Sequence, residues 1–578
     1  MLTLRAAATR LAAVRDYRDL RTLLPPLGFA AEAEGLDRAM RRELGLPEGV
    51  RRAAVARGAG ALRALLLDVQ GESLRDVLGA CARRFDSRAP ELRVLLVGLA
   101  REPLQLGVAA WQPGEAMRLR VRSLLLDPLR VLDSDAETFA ALAGAVAEED
   151  DVALTWLRWV EILGREAIGG RFYRALERHV SALGANAKGT ASAEDRREVA
   201  LLHVSRLLFL SFIQAKGWLD GDRDFLPHTF DRCMTAGGDF HRRVLRPLFH
   251  GTLNTRWSRR APAARAFGRV PFLNGGLFAR TAVERRCATL HCPDADWGAL
   301  FGELLARYRF TAREERSDWS EAAVDPEMLG RAFESLMAEG HRRASGSFYT
   351  PQPLVARVTG HALRAGLESA LAPLAGSRDA ARVAQSAVDG GALAPGDAAV
   401  LRRALAGVTV LDPACGSGAF LVHALERLAT IAALAGDARP AHELRGELLT
   451  RSIFGVDRDP TAAWLCELRL WLSMVIERDE ADPMRVPPLP NLDRNVRVGD
   501  ALAGWDFGPG ELQVAAGSRL RTLRERYARA TGARKATLAR QLDREERSRS
   551  IARVEGELAT VRAARRELVA LRRGRDLF

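Results

Sequence analysis

Val408-Thr-Val-Leu-Asp412-Pro-Ala-Cys-Gly416-Ser-Gly418-Ala-Phe420 is the stretch from which the chain is best read. An apolar run ends in an acid, turns through Gly-x-Gly and enters the apolar-periodic segment Leu421 to Ala432. That order predicts a strand, a tight turn and a helix. Glycines let the backbone approach a ligand closely, and a helix N-terminus offers N–H groups with no intrahelical partner. A dinucleotide fingerprint requires a third glycine where this sequence has Leu421. An acid placed just before the turn repels a pyrophosphate, so the pattern points to a cationic ligand.

Two later segments repeat the theme. Ser452-Ile-Phe-Gly-Val-Asp457-Arg458-Asp459-Pro460 reads as a second strand, followed by a long helix from Thr461 to Glu477. Asn495-Val-Arg-Val-Gly499-Asp500-Ala501-Leu502 reads as a third. An acid at the end of the second strand of such a sheet is placed to accept hydrogen bonds from ribose hydroxyls. Asp500 is placed to accept the amino hydrogens of an adenine ring. Taken singly, each acid is more often a cap or turn residue. Three in order, each closing a predicted strand, form a constellation.

Working outward, the 578 residues are 48% hydrophobic and 28% charged, which fits a globular chain of several domains and excludes wholesale disorder. The most apolar window, Leu201 to Gln214, is short and contains Arg206, so no membrane span is expected. Six cysteines in a chain of this length are no disulfide framework, which points to a reducing, cytoplasmic compartment. Cys287, His291 and Cys292 cluster without a second pair of ligands nearby and are not read as a metal site. Met1 to Arg15 reads as a first amphipathic helix. The formal charge is +13, and only three of the basic residues are lysines, so arginine abundance alone argues little. Residues 509–578 alone carry 18 basic and 9 acidic side chains, which fits either a phosphate-attracting surface or a solvated helical face.

The fold class expected is α/β, in four parts. Residues 1–135 read as a small mixed α/β domain, helical to about residue 60 and then strand-like at 62–67, 92–97, 104–111 and 117–126. Residues 136–340 read as a helical domain, with apolar spacing of three and four in Trp156 to Leu176 and Val199 to Ile213. Residues 341–508 alternate strand and helix, interrupted by an Ala/Gly/Pro-rich insertion from Leu371 to Ala399. Residues 509–578 read as a basic helical hairpin turning at Gly532. One apolar stripe is Leu520, Leu523 and Tyr527; another is Ile551, Val554, Leu558, Val561, Leu568 and Leu571, interrupted by Arg565. No metal-binding acid pair followed by Glu-x-Lys occurs in residues 1–150, so a restriction-nuclease domain of that type is not expected there.

Asp412 to Phe420 resembles the S-adenosylmethionine motif of N6-adenine DNA methyltransferases. Gly346-Ser-Phe-Tyr349-Thr350-Pro351 resembles the segment that precedes it in the gamma-ordered group. Gly455-Val-Asp457 and Gly499-Asp500-Ala501-Leu502 are similar to the second and third motifs, in the same order. Upstream, Arg206-Leu-Leu-Phe209, Lys216-Gly-Trp-Leu219, Pro271-Phe-Leu-Asn274-Gly-Gly-Leu-Phe278 and Leu329 to Met337 resemble the helical part of large methyltransferases. Those occur in single-chain restriction–modification enzymes and in BREX-type phage-exclusion systems. The resemblance covers roughly residues 150–505. It implies a Rossmann-like, S-adenosyl-L-methionine-dependent methyltransferase domain and double-stranded DNA as the partner. It also implies a cofactor site made of Tyr349, Thr350, Pro351, Asp412, Pro413, Ala414, Gly416, Gly418, Phe420, Asp457, Arg458, Asp500 and Ala501.

The same family carries a fourth motif, Asn-Pro-Pro-Tyr or a close variant, whose Asn holds the target amino group while the aromatic ring stacks on a flipped base. The nearest strings here, Val486-Pro-Pro-Leu and Leu24-Pro-Pro-Leu, fit neither in residue type nor in position. No catalytic residue is therefore assigned. Three readings follow: a split enzyme completed by a second polypeptide, a truncated product, or a cofactor-binding protein that no longer methylates. The function expected is the cofactor-binding amino-terminal portion of a site-specific adenine-N6 DNA methyltransferase in restriction–modification or phage defence, inactive alone. The alternative is a noncatalytic DNA- or partner-binding scaffold with a vestigial methyltransferase fold.

Overall fold

The computed structural model describes residues 2–113, 119–148, 151–274, 276–311, 319–325, 328–330, 332, 350–476, 478, 480–502 and 518–575. Two sheets organise it. The first has seven strands in chain order: β1 (Glu34–Leu36), β2 (Val50–Arg57), β3 (Leu62–Val69), β4 (Arg93–Arg101), β5 (Leu104–Pro113), β6 (Leu119–Leu126) and β7 (Trp319–Glu321). The β3–β4 and β6–β7 pairs are parallel and the rest antiparallel.

Helix α1 (Leu4–Ala13) opens the chain, and 3-10 turns at Tyr17–Leu23 and Pro25–Leu27 and a short helix at Arg38–Glu43 follow, but the helical reading of residues 1 to about 60 fails at β1 and β2. Val50 to Arg57 is Ala-rich and has no strong strand propensity of its own. It becomes a strand because it pairs along its length with the Leu-rich β3, so packing overrides local preference. Helix α2 (Leu74–Arg88) makes the parallel crossover from β3 to β4. It lies close because Gly98 and Gly107 face it. A Cβ at Gly98 would come 2.7 Å from Leu74 Cδ1, and one at Gly107 2.8 Å from Leu78 Cδ1.

The middle of the chain is mostly helical, with α3 (Asp133–Glu148), α4 (Val152–Ile162), α5 (Arg165–Asn186) and α6 (Ala193–Ala215). The continuous periodicity from Trp156 to Leu176 is broken at Leu163-Gly164, where α4 ends and α5 begins. Helix α6 is long and apolar enough to meet a membrane-span criterion, yet its most apolar window is 89% buried inside the protein, as in a core helix. Its one buried cation is neutralised internally. Arg206 donates to Glu284 Oε1 at 2.7 Å and to the carbonyls of Leu277 at 2.6 Å and Ala279 at 2.8 Å. Burial alone would raise the Glu284 carboxyl. The Arg206 charge and the bond from His203 outweigh it and hold that carboxyl well below the usual range.

The second sheet is the smaller. Helices α7 (Gln352–Ala375), α8 (Ser377–Asp389) and α9 (Pro395–Leu405) lead into it, so the small-residue insertion at 371–399 is built mainly of helix ends and α8. Then follow β8 (Val410–Asp412), α10 (Ala419–Leu434), α11 (Ala441–Ser452), β9 (Ile453–Asp457), α12 (Pro460–Ile476) and β10 (Val496–Val498). The three strands are parallel, in the order β10-β9-β8. This is the arrangement of one half of a doubly wound α/β sheet. The chain ends in α13 (Ser518–Ala528) and α14 (Gly532–Arg575).

One continuous buried cluster runs from Ala7 to Val496 and joins both sheets through the helical region. The helix pair has a separate small core of Leu523, Tyr527, Ala530, Leu538 and Leu542.

Candidate functional site

The three parallel strands bring the three predicted acids to one end of the small sheet. Register pairs Asp412 with Gly455 and Asp457 with Val498, so the β8 and β9 acids stand at adjacent strand tips. Asp500 lies two residues beyond the end of β10 instead of closing it. Gly499 N donates to Asp457 O at 2.8 Å, which folds that exit back onto the β9 tip.

The turn after β8 is laced to β9. Cys415 N donates to Val456 O at 2.9 Å, and Gly416 N donates to Asp457 Oδ2 at 2.8 Å. Gly418 is left-handed at φ 87° and caps the N-terminus of α10. A Cβ there would stand 2.6 Å from Cys466 Sγ on α12, so glycine is required both by conformation and by space. Gly416 also has positive φ, but a Cβ there would meet nothing within 4 Å. The first turn of α10 follows this turn directly and leaves N–H groups without an intrahelical partner beside it.

Asp412 is the most telling residue. Its Oδ1 accepts from Ala414 N at 3.1 Å, while its Oδ2 is buried and has no hydrogen-bond partner. Burial raises its carboxyl above the ordinary range; the Ala414 N–H opposes that rise and the Asp457 charge adds to it. A half-buried carboxylate left with an unpaired oxygen beside a second acid calls for a hydrogen-donating or cationic partner.

Asp457 is more occupied than its sequence role suggests. Besides Gly416 N it accepts from Asp459 N at 2.9 Å through Oδ1. Each carboxylate oxygen keeps a second lone pair, so the residue anchors the turn and still has acceptor capacity. Asp500 is exposed and accepts from Leu502 N at 2.9 Å. Pro413, Ala414, Arg458 and Ala501 are exposed around the mouth, and Phe420 is half-buried at the start of α10.

The remaining candidates stand apart. Pro351 caps α7, which packs against α10, and Thr350 precedes it. No hydrogen bond among the described residues joins either to the strand tips. Tyr349 lies outside the described residues.

Several supporting residues were missed by the sequence reading. Arg469, buried on α12, donates through Nη1 to Ser417 Oγ at 2.9 Å and to Ser417 O at 3.1 Å, fixing the turn from behind. A Cβ at Gly330 would come 2.6 Å from its guanidinium, so the helical region also presses on it. Asn495 donates to the carbonyls of Leu449, Thr450 and Ile453 at 2.9–3.2 Å and so sets the entry to β9. The available signal was a charged residue inside an otherwise apolar helix, Cys466-Glu467-Leu-Arg469-Leu.

Residues 399–483 match the N-6 DNA Methylase family, a segment holding β8, the Gly-x-Gly turn, β9 and α12. The chain is similar in this segment to adenine-N6 methyltransferases of the restriction–modification type. A Methanocaldococcus jannaschii protein whose name describes a type II restriction enzyme and methyltransferase is 27% identical over 333 residues, covering 54% of this chain and 28% of that protein. Among solved structures, the type IIL restriction–modification enzyme MmeI in complex with DNA aligns with a TM-score of 0.38 and 18% identity, over 58% of this chain and 40% of that one. A DrdV–DNA complex aligns with a TM-score of 0.26 and 13% identity, over 84% and 37%. The chain thus spans well under half the length of each of these proteins.

Proposed function

We propose that this chain binds S-adenosyl-L-methionine across the tips of β8, β9 and β10, as the cofactor-binding portion of a site-specific adenine-N6 DNA methyltransferase. The observation that carries the reading is the unpaired, buried Oδ2 of Asp412, set beside a glycine turn that is itself pinned to Asp457. A donor set of this kind suits a nucleoside that bears both amino and hydroxyl donors and a positive centre. Asp412 would face the cationic methionine part, Asp457 the ribose hydroxyls and Asp500 the adenine amino group. Bound S-adenosylmethionine supplies a methyl group on an electrophilic sulfonium. The chain's own contribution is positional and electrostatic: Arg469 and Asp457 hold the turn, and the α10 N-terminus and the acids orient the ligand.

The substrate proposed is an adenine in double-stranded DNA, within restriction–modification or phage defence in the cytoplasm. These 578 residues contain no Asn-Pro-Pro-aromatic string. These residues by themselves are therefore expected to bind cofactor without transferring its methyl group.

Calorimetry and a methyl-transfer assay test this. The purified chain should bind S-adenosylmethionine, and Asp412→Asn and Asp457→Ala should each weaken binding at least about tenfold, the loss of one charge-assisted hydrogen bond. Label transfer to duplex DNA should stay at background. Absence of binding by a folded sample overturns the site, and robust transfer by the chain alone overturns the argument from the missing motif.

A further inference from the structure

Helix α14 is much longer than its partner. Its 44 residues span about 66 Å, whereas the 11 residues of α13 span about 16 Å. Their shared core stops at Leu542. The second apolar stripe of the sequence lies outside that core. Ile551, Leu558, Val561 and Leu568 are 51%, 45%, 64% and 66% exposed. With half-buried Val554 and with Arg565, they recur at alternating steps of three and four residues: 551, 554, 558, 561, 565, 568. That is the seven-residue repeat of a two-helix seam and not the broader stripe that packs on a globular core. A lone helix carrying it in water gains nothing from those side chains.

We propose that this seam pairs with the same helix of a second copy of the chain, running antiparallel about a two-fold axis between Leu558 and Val561. In that register Leu558 faces Val561 of the other copy, Ile551 faces Leu568, and Arg565 lies over Val554. Charge decides the direction. The flanking residues Glu555 and Arg562 then oppose one another across the axis, twice by symmetry, and Arg565 lies beside the opposing Glu555. Neither Glu555, Arg562 nor Arg565 has an acidic or basic partner among the described residues. A parallel pair would instead stack Arg565 on Arg565 inside the seam, where two like charges repel. The seam is short, about 26 Å from Ile551 to Leu568, so self-association is expected at micromolar concentrations and above and not at nanomolar ones. The inference rests on the α14 sequence and exposure and is independent of the cofactor site.

Sedimentation equilibrium of the full chain should show the mass rising toward twice the monomer as concentration is raised from about 1 to about 100 µM. Glu555→Arg and Arg562→Glu each place two like-charge pairs across the axis and should weaken the dimer several-fold. The double variant should return to within about twofold of the original. Both residues are exposed, so circular dichroism should be unchanged. For direction, Ile551→Cys chains mixed with Leu568→Cys chains should form a mixed disulfide under mild oxidation, since the six native cysteines are buried. Ile551→Cys chains linking only to one another overturn the antiparallel register. A chain that remains monomeric throughout the range, or a double charge variant no better than the singles, overturns the proposal.

Discussion

Glu467 is buried on α12 against the Asn274–Phe278 loop, its Oε2 3.3 Å from where a Cβ of Gly276 would stand. Burial, with a smaller contribution from the Asp493 charge and against that of Lys535, pushes its carboxyl up to about 8. The folded protein therefore keeps a proton that the unfolded chain releases from about pH 4.5 upward. Stability from this group is fully present below pH 4.5 and is lost as pH rises to about 8, with a slope of up to about 1.4 kcal/mol per pH unit. Glu467→Gln keeps the shape and the uncharged state. Its urea midpoint should match the parent at pH 5 and exceed it at pH 8; equal slopes for both proteins would count against a protonated Glu467. At this scale the sequence revealed the residues that face a ligand, because an acid after an apolar run and a Gly-x-Gly turn are local signals. Arg469 and Glu467 were not legible, because their roles depend on Ser417 and on the 274–278 loop, both distant in sequence.

Elements were legible where period and turn chemistry agree, as in β8, the glycine turn and α10. They were not legible where a partner decides, as in β2, whose Ala-rich run becomes a strand only against β3. The C-terminal helix pair illustrates a third case, an element whose attachment leans on a single buried amide. The carbonyls at the end of α13 have no helical partner. Asn491 supplies donors to them: its Nδ2 reaches Tyr527 O and Ala530 O at 2.8 Å each, and its N reaches Ala528 O at 2.9 Å. Tyr527 adds a bond from its hydroxyl to Asp493 Oδ2 at 2.6 Å. With only five buried residues in its own core, the pair draws on these bonds as well as on the ion pairs of Asp543 and Glu546. Asn491→Ala removes both 2.8 Å bonds, while Tyr527 O keeps Ala530 N at 2.9 Å and Ala530 O keeps Asn274 Nδ2 at 3.5 Å, a cost of about 1–3 kcal/mol. Trypsin should then cut between Arg519 and Arg534 faster than elsewhere in the chain. An unchanged cleavage pattern would show that the small core and the ion pairs of Asp543 and Glu546 hold the helices down without Asn491.

Over the whole molecule the charge is uneven, and the helix pair concentrates it. Part of its basic excess is consumed locally. Glu546 accepts from Arg497 at 2.7 Å and Arg524 at 3.2 Å, and Asp543 pairs with Arg494 at 2.7 Å, so these acids clamp the pair to the β10 region. Glu545 lies 3.6 Å from Arg519 and 3.2 Å from Arg549. Arg526 and Arg544, which line the cleft between α13 and α14 together with Arg519, have no acidic partner among the described residues. Solvated guanidinium groups of this kind attract phosphates without reading sequence, and each phosphate neutralised releases condensed counterions. If the chain lies along duplex DNA through this cleft, anisotropy of a short labelled duplex should show log affinity falling linearly with log salt concentration. Arg526→Gln combined with Arg544→Gln should make that slope shallower by about 1.8, two phosphates at about 0.9 each, while leaving S-adenosylmethionine affinity unchanged. The cleft lies between residues 519 and 545 and the seam between 551 and 568, so the titration belongs at chain concentrations below self-association. An unchanged slope would place the DNA on another face and leave the two arginines as solubilising charge.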